Sequence, residues 1–329
     1  MRLIEREKSD TIRVHLLMSV SEEFMLTSAE KAMKSAEEGL KLAQKIKWTR
    51  GVAMAYSGIG NAYDLQGNFS KALEYRLKEL EKWKETGNRR TICVVMGNIG
   101  VSYSDQGNNL KAMEYYISSL ELAEKINNKE MMASNLSNIG SIHHAQKENE
   151  DALEYYFRAL RLAEKEGIKK FISNNSGNIG NVYADQLNFN KALEFYLKAL
   201  KIEEESGNER TISIWLANIG SVYQQQSDSA RNAGNTTLAK EKSANALEYF
   251  FKALKYTKNI GSEYLEAYAR GNIGSIYVAE KNYKAAEIYM QQSFDLGVKI
   301  NSVELITDGH QRFFELYKKM NLPTKALEH

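Results

Sequence analysis

Asparagine returns at fixed positions along the chain, at Asn98, Asn138, Asn178, Asn218 and Asn272, each time followed by Ile-Gly. A carboxamide carries two N–H donors and an acceptor oxygen. A row of them therefore matches the N–H and C=O groups of an extended backbone, with little demand on its side chains. Asn61, Ser141, Asn181 and Ser221 stand three residues beyond the same repeat position and extend the row. Asparagine is a mediocre helix former, so its return at one position asks for a reason. The amides also have an internal use, since bridging adjacent helices or capping local backbone would satisfy the same hydrogen bonds.

Other groups that could do chemistry are few. His143 and His144 with Glu148 suggest a metal, but His143 fills a position held elsewhere by Tyr, and one carboxylate does not complete a closed site. Packing is their expected role, and no metal or other cofactor is expected. Cys93 is the only cysteine, which excludes an intramolecular disulfide and a thiolate cluster, and it reads as a small buried hydrophobe. Trp48, Trp83 and Trp215 read as packing residues. No Ser/His/Asp or Cys/His set stands at a meaningful spacing, so no catalytic residue is assigned and the chain is not expected to be an enzyme.

These positions belong to a period. The Ile of each Asn-Ile-Gly triplet, with Ile59 of Gly58-Ile59-Gly60, is spaced 40, 40, 40, 40 and 54 residues from the next. A second marker, the Ala of a Lys-Ala-Leu-Glu-like segment, keeps step at Ala72, Ala112, Ala152, Ala192, Ala246 and Ala286. Two markers in register establish repetition. Apolar residues at i, i+3, i+4 and i+7 over 190–206 and 209–226 predict amphipathic helices. Gly-Asn pairs such as Gly67-Asn68 and Gly87-Asn88 punctuate them. Each repeat is therefore a helix hairpin.

The expected architecture is all-α, a right-handed solenoid of about eight hairpins forming one domain over 1–329. Its units are a degenerate first repeat at 1–48; regular repeats at 49–88, 89–128, 129–168 and 169–208; a repeat with 14 extra residues at 209–262; a regular repeat at 263–302; and a truncated last one at 303–329. Four extra helical turns shared between two helices preserve their faces, which predicts a lengthened hairpin; a loop at 231–237 is the alternative. The recurring mid-helix Gly costs about 0.5–1 kcal/mol relative to Ala, which implies a partner passing too close for a Cβ. A phosphate loop is excluded, because such loops follow a strand, whereas Asn-Ile-Gly recurs within helices.

Composition narrows the partners. The 44 Lys and Arg against 42 Asp and Glu leave a net charge of +2, too little to attract nucleic acid. A single proline, Pro323, suits long helices. There is no run of 18 apolar residues and no leader pattern over Met1 to Asp10, so no membrane contact is expected. A cytoplasmic and a processed periplasmic chain would read alike.

The pattern Ile-Gly-x-x-Tyr followed by Lys-Ala-Leu-Glu-Phe-Tyr-x-x-Ala-Leu, clearest over 178–200, resembles the tetratricopeptide repeat. It departs by lacking the closing proline and by exceeding the 34-residue unit by six residues. That longer form resembles the repeats of kinesin light chain and of the Pins/LGN adaptors. Asp10-Thr11, Val14, Leu16-Leu17, residues 29–43 and the Asn-Ile-Gly repeats together resemble the N-terminal arrays of bacterial sensor histidine kinases.

The resemblance implies that the first helix of each hairpin lines a concave surface, which would place the asparagines in a groove that holds a protein or peptide segment. It further implies the sensing or docking region of a bacterial signalling protein, with an output domain beyond His329; a free-standing adaptor is the alternative. The groove lysines of a carboxylate clamp have no counterparts at Ser57, Gly97, Ser137 or Gly177. Leu327-Glu328-His329 reads either as a tag remnant or, with Lys325 and Ala326, as an in-register repeat motif. Either way the array is expected to continue in the natural chain, since solenoids end on polar capping elements.

Overall fold

A computed structural model describes residues 8–25 and 27–328. The opening of the first repeat, most of the Met1 to Asp10 segment and His329 lie outside the described residues. Among those described there are sixteen α-helices and no strand. They pair as eight hairpins: α1 (Asp10–Phe24) with α2 (Ala29–Lys45), α3 (Thr49–Leu65) with α4 (Phe69–Thr86), α5 (Arg89–Asp105) with α6 (Asn109–Lys125), and α7 (Lys129–Ala145) with α8 (Asn149–Glu166). Then follow α9 (Lys169–Asp185) with α10 (Phe189–Ser206), α11 (Glu209–Asn232) with α12 (Thr236–Asn259), α13 (Glu263–Ala279) with α14 (Tyr283–Lys299), and α15 (Val303–Lys319) with the short α16 (Pro323–Leu327).

The punctuation works through backbone chemistry. The side chains of Asn68, Asn108, Asn188, Asn235 and Asn282 each accept from a backbone N–H in the first turn of the helix they precede. Gly87, Gly167 and Gly207 close helices in the left-handed region, at φ of 68°, 68° and 72°. Where the repeat offers no glycine, Lys147 and Leu187 take that conformation themselves, at φ of 63° and 57°.

The mid-helix glycines are explained by what lies against them. A Cβ on Gly100, Gly140 or Gly180 would come within 2.5, 2.9 and 2.8 Å of the rings of Tyr116, Tyr156 and Tyr196. These rings and the adjoining isoleucines, Ile99, Ile139 and Ile179, are almost wholly buried. At Gly60 the ring slot holds Arg76 instead, and a Cβ would meet nothing closer than 3.4 Å.

The 14 extra residues of the sixth hairpin appear as helix. α11 and α12 have 24 residues each, against 17 in α9 and 18 in α10, so each gains about two turns. Only Ala233, Gly234 and Asn235 separate them, in place of the alternative loop over 231–237. Inside the extension Ser227 Oγ donates to Ala239 O at 2.8 Å and lies 2.9 Å from Ser243 Oγ.

The chain divides into two compact units, Met1–Ile168 and Lys169–His329, and the division falls on a repeat boundary. Each helix packs on its neighbour along the chain within its unit. In the first unit α1 also touches α3 and α5 touches α7; in the second α11 touches α13 and α13 touches α15. No pair of second helices comes comparably close among the described residues. Within each unit the first helices therefore lie on the tighter side of the stack.

Candidate functional site

In the first unit the amide face runs along α3, α5 and α7. Asn98 is exposed and Asn138 half-buried, and neither side chain has a hydrogen-bond partner among the described residues. Asn61 Oδ1 accepts from Arg76 at 3.4 Å. Ser141 is committed, donating to Ser137 O at 3.0 Å and accepting from the Tyr156 hydroxyl at 3.0 Å. Asn98 borders a cavity of about 410 Å³ with Asp64, Phe69, Arg76, Val101 and Asp105. Arg76 is held there by Asp64 and by Ser102 Oγ at 2.9 Å.

In the second unit the amides differ in their commitments. Asn178 is half-buried and without a side-chain partner among the described residues. Asn181 Oδ1 accepts from the Tyr196 hydroxyl at 2.6 Å and from Asn218 Nδ2 at 3.5 Å, which ties α9 to both α10 and α11. Burial, and secondarily the charge of Asp185, raises the Tyr196 pKa, so the hydroxyl keeps its proton and stays a donor. Ser221 donates to Ala217 O at 3.1 Å. Asn272 is buried; its Oδ1 accepts from Arg312 at 3.2 Å while its Nδ2 has no partner.

The internal use of the amides is realised at some of these positions. Asn98, Asn138 and Asn178 hold unspent donors and acceptors, whereas Asn61, Asn181, Asn218 and Asn272 are engaged within their units. Sequence reasoning missed two arginines that do the engaging. Arg312 stands 40 residues after Asn272, in the amide position itself, where it donates to Asp308 at 2.6 Å and to Gly271 O at 2.7 Å. Arg76 takes the slot held by Tyr116, Tyr156 and Tyr196. In both cases the signal was a break in the repeat.

The lengthened hairpin also adds a wall to a cavity of about 610 Å³. Asp228 and Arg231 of α11 face Ser275, Met290, Arg312 and Lys319 across it. Arg231 is pinned by Asp228 at 3.1 Å and by Glu280 at 2.9 Å. Burial raises the Asp228 carboxyl above its ordinary value, against the pull of Arg231.

The histidine that sequence reasoning assigned to packing has more company than one carboxylate. His143 Nδ1 lies 2.6 Å from Glu148 Oε2, and Asp151 brings a third ligand-type atom, all three within 4.8 Å of one another. Cys93 is buried as expected, with its Sγ 3.2 Å from Ser119 O. Two buried asparagines, Asn135 and Asn175, were not singled out by the sequence. Their Nδ2 groups donate to Ser119 Oγ and Phe171 O, each at 2.8 Å.

Repeated helix hairpins with the first helices on the tighter side define a helical repeat array. Where family profiles match, at residues 91–165, 176–206 and 267–296, the repeats are tetratricopeptide repeats. No curated protein sequence matches the chain. Among solved structures, the tetratricopeptide sensor-bearing signal transduction ATPase of Pyrococcus horikoshii is 18% identical, with a TM-score of 0.65 over 99% of this chain and 50% of its own. This chain spans half of that protein. The apo form of RapI is 18% identical, with a TM-score of 0.63 over 88% of this chain and 98% of its own. A Rap protein complexed with competence and sporulation factor is 12% identical, with a TM-score of 0.58 over 96% of this chain and 94% of its own. At these identities the likeness speaks for the fold.

None of the helices is long and apolar enough to cross a membrane among the described residues.

Proposed function

We propose that the chain is a non-catalytic protein-binding scaffold that holds an extended protein or peptide segment along its first helices. The observation that carries this reading is the open amides of Asn98 and Asn138 on α5 and α7 in the first unit, with that of Asn178 on α9 open likewise in the second. Asn138 and Asn178 are half-buried, where polar groups are as a rule hydrogen-bonded, so their open amides are suited to a partner's backbone. A fold neighbour, the Rap protein, is solved in complex with competence and sporulation factor.

Within that reading the chain is the sensing or docking part of a bacterial signalling protein, joined to an output domain in its full-length form. The neighbouring signal transduction ATPase with its tetratricopeptide sensor supports this arrangement. The natural gene tests it directly. A kinase, cyclase or DNA-binding region in the same reading frame is the expected result, and a reading frame holding these repeats alone would make the chain a free-standing adaptor. The binding claim is tested by changing Asn98, Asn138 and Asn178 together to Ala and measuring partner capture beside helicity and melting.

A further inference from the structure

The third regular hairpin, α7 with α8, departs from its siblings at three repeat positions, and the three residues converge in space. The position after Ile-Gly-x-x is Tyr63, Tyr103, Tyr183, Tyr223, Tyr277 and Tyr317 in the other hairpins but His143 here. The N-cap of the second helix is Asn68, Asn108, Asn188, Asn235 or Asn282 in five other hairpins, Ser28 in the first and Leu322 in the last, but Glu148 here, and Glu148 makes no side-chain capping bond. Three residues on stand Lys71, Lys111, Lys191 and Lys325 in α4, α6, α10 and α16, Leu238 and Ala285 in α12 and α14, and Asp151 here.

In the four hairpins with that lysine the arrangement places a cation on the tyrosine. The ammonium groups of Lys71, Lys111, Lys191 and Lys325 stand 5.1, 5.2, 4.8 and 5.2 Å from the ring centres of Tyr63, Tyr103, Tyr183 and Tyr317. In α7–α8 the chain supplies no lysine at that position. It supplies an imidazole nitrogen and two carboxylates instead, with ligand atoms mutually within 4.8 Å. The His143 ring is stacked on Tyr155 at 5.3 Å and 9°, which fixes the direction of Nδ1. With the imidazole neutral the set carries two negative charges, matching a divalent ion.

We infer that His143 Nδ1, Glu148 and Asp151 bind a divalent metal ion of the zinc type at the place where sibling repeats hold a lysine ammonium. One imidazole with two carboxylates suits Zn²⁺ or Co²⁺ better than Ca²⁺ or Mg²⁺, which take oxygen alone. Tetrahedral ligand atoms around zinc lie about 3.4 Å apart, which carboxylate rotation reaches from the observed spacing. On binding, the ion takes the place of the His143 Nδ1–Glu148 hydrogen bond, and the neutral imidazole carries its proton on Nε2. A fourth position stays open for water or for a side chain of a docked partner.

The repeat itself supplies a control that leaves the fold intact, because His143→Tyr, Glu148→Asn and Asp151→Lys together restore residues the siblings already carry. Metal-stripped protein free of any added histidine tag is titrated with Zn²⁺ by calorimetry and with Co²⁺ by visible absorption. One ion per chain is expected in the natural sequence and none in the triple variant at equal helicity. Asp151→Asn alone is expected to weaken binding more than about tenfold, since even outer-shell losses reach that size. Equal uptake by the natural chain and the triple variant, or uptake by neither, overturns the inference. So does a melting temperature that follows imidazole protonation and ignores Zn²⁺, which would make the cluster an ion pair. The peptide-binding reading stands or falls separately.

Discussion

The ring of Tyr196 lies against the bare backbone of Gly180, and its hydroxyl donates at 2.6 Å to Asn181, the next residue along the same helix. One tyrosine thus reads two consecutive positions of α9, the first for the lack of a side chain and the second for an acceptor.

Gly180→Ala should therefore destabilise the second unit by about 1–3 kcal/mol through overpacking, although alanine is the better helix former. Gly60→Ala, where Arg76 replaces the ring, should be neutral or stabilising by up to about 1 kcal/mol. Urea titrations of the two variants check the contrast.

The two classes of amide should separate in a mutant series. Asn181→Ala strands the buried Tyr196 hydroxyl and should cost about 1–3 kcal/mol, whereas Asn98→Ala and Asn178→Ala should each change stability by less than about 0.5 kcal/mol. Equal losses at all three positions would mean that the open amides are structural too.

Glu79 gives the first unit a pH dependence. The side chain is 6% exposed, and burial pushes its carboxyl up to about 7, against hydrogen bonds from Trp83 and Ser57 and the charge of Arg76. The folded value stands above the unfolded one, so the folded chain holds the proton more tightly. Its contribution is complete below about pH 4.5 and is lost as pH rises through about 7. Glu79→Gln should flatten this decline and raise stability at pH 8 by a few kcal/mol, on the scale of about 1.4 kcal/mol per unit of pKa difference. Chemical denaturation across about pH 5 to 8, the range in which folded chains tend to be most stable, measures it.

Stacked repeats that touch mainly their neighbours should not unfold as one body. With compact units meeting at Ile168 and Lys169, calorimetric enthalpy should exceed the van't Hoff value, and separate probes at Trp83 and Trp215 should report different midpoints. Coincident midpoints would contradict the expectation.

Much of the fold was legible because the repeat writes its rules many times over. The Ile-Gly pair, the ring opposite it and the Asn cap each have a local physical cause, so their spacing alone predicts hairpins and the helical extension of α11 and α12. The site was less legible for a related reason. An asparagine such as Asn181 and one such as Asn178 carry the same chemistry three residues apart, and only the position of Tyr196 decides which is spent. Arg76, Arg312 and the His143, Glu148 and Asp151 set depart from the period, and reading the period for what recurs passes over them. Asp151 in particular looks like an ordinary acidic first-turn residue until it is compared with Lys71, Lys111 and Lys191.

The most direct test of the central claim is capture of an extended segment by the natural chain and by the Asn98→Ala, Asn138→Ala, Asn178→Ala variant, with circular dichroism and melting measured on the same samples. Selection from a random peptide library against the natural chain supplies the ligand. Affinity should fall by more than about tenfold, the equivalent of about 1.4 kcal/mol, while helicity and melting temperature stay nearly unchanged. Undiminished affinity, or a variant that melts much earlier, would contradict the account and make the amide row a structural feature of the repeats.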